Sequence, residues 1–172
     1  MKISLGKLVS RKIVSASVSS FVFIVLISFL HPIDDYYVEV DYLQRVTDTM
    51  FLYSAIAAPI ILIYGTITSL ISEYLVLLLG KYKPFQGTLQ QTFSLAFFHL
   101  FFGLILLWLS LFPALLFFLT DLWLSRRKKA YTMPNALCSI LLPLFLFVSV
   151  FTIEHTVYKP KPDIRITGVI LL

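Results

Sequence analysis

The sequence predicts an all-α fold, an integral membrane four-helix bundle, and three observations carry that prediction. Hydrophobic residues make up 59% of the 172-residue chain and charged residues only 13%, against about 25% charged in a soluble domain. The apolar residues fall into runs close to the roughly 20 needed to cross a hydrocarbon core about 30 Å thick. The charges are bunched between those runs, so the mean hydropathy of +0.90 describes one transmembrane domain over residues 1–172. A net charge of +5 does not indicate nucleic acid, because Lys and Arg sit at the ends of apolar runs, where membrane topology uses them. Cys138 is the single cysteine. It therefore forms no intrachain disulfide, and the redox compartment is not readable from it.

The first span is expected over residues 13–30, uncharged and preceded by Lys2, Lys7, Arg11 and Lys12. It does not read as a signal peptide, because Phe29, Leu30, His31 and Pro32 stand where small residues would precede a cut. The positive flank holds the N-terminus in the cytoplasm. Residues 31–48 then carry Asp34, Asp35, Glu39, Asp41 and Asp48 against Arg45 alone. This is an acidic extracytoplasmic loop, without the ligand spacing of an EF-hand, and Tyr36, Tyr37 and Tyr42 suit the headgroup interface. The alternation over 37–41 has the period of a strand but no partner strand.

The second span, 50–72, contains Pro59, which bends a helix by removing one backbone bond. Its stretch 61–73 is the element around which the bundle is expected to be organised. At helical spacing Ser54, Ala58, Ile61, Gly65, Thr68 and Ser72 share a face, and Gly65 with Ser69 forms a small-xxx-small pair that lets backbones approach. Glu73 marks the cytoplasmic exit. Residues 74–79 extend the helix or lie at the surface, until Gly80, Lys81, Tyr82, Lys83 and Pro84 stop it.

Residues 92–124 hold only His99 and Asp121 as ionisable groups. A helix over 92–119 would run about 42 Å, too long for one upright crossing. A span over 92–110 is expected, with Trp108 at the outer interface and Pro113 starting a short helical piece over 113–124. Arg126, Arg127, Lys128 and Lys129 follow. The fourth span is 136–153, kinked at Pro143, and residues 156–172 form an extended tail because Pro160 and Pro162 oppose helix.

The segment Tyr64, Gly65, Thr66, Ile67, Thr68, Ser69, Leu70, Ile71, Ser72, Glu73, in a chain with four spans of this size, resembles a family of uncharacterised small membrane proteins from Bacillus-like bacteria. The resemblance implies a bacterial plasma-membrane location and four helices. It supplies no functional residues.

His99 is the candidate functional polar residue, since an ionisable group in a transmembrane helix is expensive. With Thr92, Ala96, Gly103, Leu106 and Ser110 it lines a small, partly polar stripe, in which Gly103 joins Gly65 and Ser69 as helix-packing residues. It either relays protons or contacts a substrate, or it is a neutral, buried side chain bonded to a hydroxyl such as Thr66, Thr68 or Ser139. The second reading is favoured because interhelical hydrogen bonds are common structural glue. Glu73, Asp121, Glu154 and His155 fall near expected interfaces, where topology accounts for them. No catalytic residue, cofactor or metal ligand set is indicated: HExxH, paired-His spacing, nucleophile elbows and phosphate-cradling loops are absent.

The function expected is that of a non-enzymatic membrane protein, acting through helix–helix contacts with a second copy or another membrane protein as an accessory or protective factor. The alternative is a small transporter or channel subunit with His99 in the polar path; an enzyme acting on lipid with His99 as acid or base is a weaker third. Four spans place both termini in the cytoplasm, with nine Lys and Arg inside and five outside. A competing topology doubles residues 92–124 back and gives ten inside and four outside. Two full crossings need about 40 residues, against the 33 present, so four spans are preferred.

Overall fold

The protein is described by a computed structural model over residues 5–33, 41–81, 87–105, 110–127 and 131–158. All regular elements among them are helical: α1 (Leu5–Leu30), α2 (Tyr42–Ile60), a π-helical segment (Ile61–Gly65), α3 (Thr66–Leu79), α4 (Thr88–Ile105), α5 (Leu111–Arg126) and α6 (Met133–Val157). Since α2, the π segment and α3 run on as one 38-residue helix, the described residues form five helices. Leu5–Leu30, Tyr42–Leu79 and Met133–Val157 are long and apolar enough to cross a membrane, and Leu89–Ile105 is a shorter apolar helix. Asp34, Asp35, Tyr36, Tyr37, the alternation up to residue 40, Trp108, Lys128, Lys129 and the tail beyond 158 lie outside the described residues.

Local chemistry accounts for several boundaries. Pro59 has no N–H for the helical ladder, and two residues later the helix widens into the π segment that ends at Gly65. There the Ile61 N–H points at the carbonyls of both Ala57 and Ala58. α3 closes at Gly80, whose N–H bonds Val76 O at 2.9 Å, so residues 74–79 extend the helix. α6 starts after Thr132 in extended conformation, with proline in its first turn, where a missing N–H leaves no bond unmade.

The central element is α1 rather than the 61–73 stretch. Along α1's apolar stretch 44% of residues are buried inside the bundle, against 22% for Tyr42–Leu79 and 17% for α6, and α1 touches α2, the π segment, α3, α5 and α6. A run of buried small residues makes this possible: Ser15, Ala16, Ser17, Ser19 and Ser20 are all fully buried. Small side chains let several helices approach one backbone. The hydroxyls are satisfied inside α1 itself, as in Ser17 Oγ to Ile13 O at 2.9 Å and Ser20 Oγ to Ala16 O at 2.7 Å.

Contacts along the helices fix their directions. α1 runs against Tyr42–Leu79, with Arg11 beside Glu73, Phe23 beside Tyr53, and Tyr42 Oη donating to Phe29 O at 2.8 Å. α6 runs with α1: Ser139 lies 3.2 Å from Ser17, Phe147 stacks on Phe51 of α2 at a ring separation of 5.6 Å, and Phe151 meets the same ring tilted at 6.1 Å. The start of α1 and the end of α6 are therefore at opposite ends of the bundle.

α4 and α5 form an antiparallel hairpin instead of a span with a trailing piece. His99 meets Phe117 and Phe118, and Gly103 meets Ser110 and Ala114. A Cβ on Gly103 would lie 2.7 Å from that of Ala114, a separation only glycine permits. α5 then descends along α1 from Phe112, at 5.9 Å from Phe23, to Asp121, bonded to Arg11 and Lys12. Phe112, in the first turn of α5, thus sits about 18 Å up α1 from Arg11, at roughly 1.5 Å per residue, while α1 continues to Leu30. A hairpin that turns back at this depth needs far fewer residues than two full crossings, which is the arrangement the length argument omitted.

Candidate functional site

The first tier of the site is an ion quartet joining three helices at one end of the bundle, with Lys12 and Asp121 buried and Arg11 and Glu73 partly exposed. Lys12 of α1 is fully buried; its Nζ lies 2.6 Å from Asp121 Oδ2 of α5 and 2.7 Å from Glu73 Oε2 of α3. Arg11 binds the same two carboxylates, through Nη2 to Glu73 Oε2 at 2.8 Å and Nε to Asp121 Oδ1 at 3.0 Å. Ser15 Oγ, bonded to Arg11 O at 3.0 Å, lies 3.3 Å from Asp121 Oδ1. Two cations and two anions make the quartet neutral, which is the condition for holding charge out of water. At this end Trp123 is exposed with Arg127 stacked 3.6 Å from its ring centre, a pairing of aromatic face and cation.

Above the quartet lies His99, 5% exposed. Nε2 is 2.9 Å from Ser69 Oγ, and Nδ1 is 3.0 Å from Leu95 O one turn back in α4. Both ring nitrogens have partners, and Phe117 and Phe118 flank the ring at 5.7 and 5.8 Å. The hydroxyl is Ser69 instead of the expected Thr66, Thr68 or Ser139. Ser69 lies one turn beyond Gly65 on the face that meets α4 and α5. Thr68 Oγ1 instead donates to Tyr64 O at 2.8 Å, and Ser139 Oγ to Ala136 O at 2.7 Å. Gly65 sits against the Phe117 ring, where an added Cβ would be 3.2 Å from the nearest carbon.

The third tier is a cavity of about 330 Å³ between the hairpin tip and the middle of Tyr42–Leu79, lined among others by Phe23, Tyr53, Ile60, Tyr64, Pro113 and Phe117, with His99 on its floor. It exists because the hairpin ends partway along α1, leaving α2 without a neighbour on this side.

Sequence reasoning singled out His99, Gly65, Ser69 and Gly103, and the structure brings the first three together around Phe117, with Gly103 at the tip of the hairpin. It missed Arg11, Lys12, Glu73 and Asp121 as a unit, because each is explained singly as a topological flank. The available signal was the spacing of Lys12, Ser15 and Ser19, a polar stripe of helical period running from a cation into an apolar span. Among the described residues no group of three or more His, Cys, Asp or Glu is placed to hold a metal ion. Comparison with protein-family models, with curated proteins and with solved structures finds no match in any of the three. The site is accordingly read from its own residues.

Proposed function

We propose that the chain is a bacterial plasma-membrane protein without enzymatic activity, which acts through helix contacts as an accessory or protective factor. The observation that carries this reading is that the charged groups of the quartet and the ring of His99 are paired within the protein. The quartet is neutral and closed, and both nitrogens of His99 are engaged within the bundle. A transporter instead needs polar groups facing a wet path, and a general acid or base must reach the atom it serves. In proteoliposomes loaded with a pH-sensitive dye, the protein gives no proton flux above protein-free vesicles. A flux abolished by His99→Leu would establish the transporter reading.

The geometry also supports a topology of three crossings, α1, Tyr42–Leu79 and α6, with α4–α5 entering from the cytoplasmic side and returning to it. Lys7, Arg11, Lys12, Lys81, Arg126 and Arg127 then lie at the cytoplasmic end, and Arg45, with Asp41, Asp48 and Glu154, at the other. That is the distribution the positive-inside rule favours. In this reading the N-terminus stays inside and α6 ends outside, where four spans would put both termini in the cytoplasm. The test is Arg126→Cys in a Cys138→Ser background, protected from an impermeant thiol reagent until lysis; labelling of intact cells would restore a single crossing of 92–110.

A further inference from the structure

From the cavity above His99 we infer that the protein holds the hydrocarbon tail of a bilayer lipid, inserted sideways between the hairpin tip and α2. Three observations lead there. The mouth is bordered by Ile56 and Ile60, 55% and 45% exposed, and Ile60 lies at the midpoint of the 38-residue helix Tyr42–Leu79. At that depth the surrounding medium is hydrocarbon, so neither headgroups nor water-borne solutes reach the mouth. The lining is matched to an uncharged, largely apolar occupant: of its polar side chains Tyr64, Thr68, Ser110 and His99 are engaged by the protein, and Tyr53 adds one hydroxyl to a wall otherwise of aliphatic and aromatic carbon. Tyr64 Oη donates to Phe102 O at 2.9 Å, Thr68 to Tyr64 O at 2.8 Å, Ser110 to Gly103 O, and His99 is held by Ser69 and Leu95. No charged group lines the cavity, and a single tyrosine hydroxyl does not make a polar recognition site. Finally, about 330 Å³ is within the range of sites that enclose small organic molecules, roughly 300–1,000 Å³. An empty apolar space of this size forfeits dispersion contacts along its whole wall, which a flexible chain drawn from the adjoining lipid restores.

The inference rests on the membrane placement proposed above, and the experiment separates the two. Protein reconstituted in phosphatidylglycerol–phosphatidylethanolamine nanodiscs containing a phospholipid with a mid-tail diazirine is irradiated and digested, and the adducts are mapped. Adducts on Ile56, Tyr64 or Phe117 are expected at several times the level found on Phe145 of the outward face of α6, 72% exposed. They fall to the Phe145 level in Ala57→Phe, which fills the mouth, and persist in Ala57→Val. Labelling of Phe145 with none in the cavity overturns the inference alone. Labelling of neither overturns the membrane placement as well. Cavity labelling unchanged by Ala57→Phe overturns the inference, as does cavity labelling that arises only on dilution to one protomer per disc, which would identify a second copy as the occupant. Ala57→Leu serves if the phenylalanine variant fails to fold, and its melting temperature is measured alongside.

Discussion

The two halves of the bundle are held by opposite means. At the end where the chain begins, three helices are tied by four charges that share no surplus. In the other half, α1, α2 and α6 are joined by small residues and aromatic rings, while a cavity of about 330 Å³ lies beside α2. The difference follows the hairpin. Where α5 lies against α1 the interface is polar and closed, and where the hairpin ends the bundle is apolar and open.

Breaking the closed half has the largest effect. Removing one partner of a buried ion pair costs about 3–5 kcal/mol because the remaining charge is left uncompensated, so Asp121→Leu should prevent accumulation of folded protein or lower its melting temperature in detergent by more than any other change considered. The pair Lys12→Met and Asp121→Leu together should recover part of that loss, since the quartet then keeps Arg11 with Glu73. If the double variant is no more stable than Asp121→Leu alone, Lys12 and Asp121 do not act as a unit.

Overfilling the boundary between the halves ranks second. Gly65→Leu pushes against Phe117, at a cost of about 1–3 kcal/mol for forcing extra carbons into a packed interface, and thermal denaturation of the purified variant reads it. An unchanged melting temperature would remove Gly65 from the seam. His99→Leu comes third: an interhelical hydrogen bond in lipid averages about 0.6 kcal/mol, so a small loss of stability is expected, with growth and flux unchanged. Stable protein with a lost phenotype would instead give His99 a functional role. The smallest effect is between α1 and α6, where Ser139→Ala removes a contact of 3.2 Å to Ser17 while Ser17 keeps its bond to Ile13 O. Less than about 0.6 kcal/mol is expected, and a larger loss would show that α6 is held by that contact more than by its rings.

The sequence by itself determined that this chain is helical and apolar, because composition and run length answer to the bilayer one residue at a time. It also marked Gly65, Ser69, Gly103 and His99, since small and ionisable residues stand out against an apolar run at helical spacing. Only the tertiary structure decided that residues 88–126 fold back on themselves, that α1 is the central helix, and that Arg11, Lys12, Glu73 and Asp121 meet. The reason is physical. Lys12 and Asp121 are 109 residues apart in the chain, and no local period connects them. Whether a charge near a helix end faces water or a buried partner depends on which helix lies beside it, and that is set by how α5 packs back against α4 and α1.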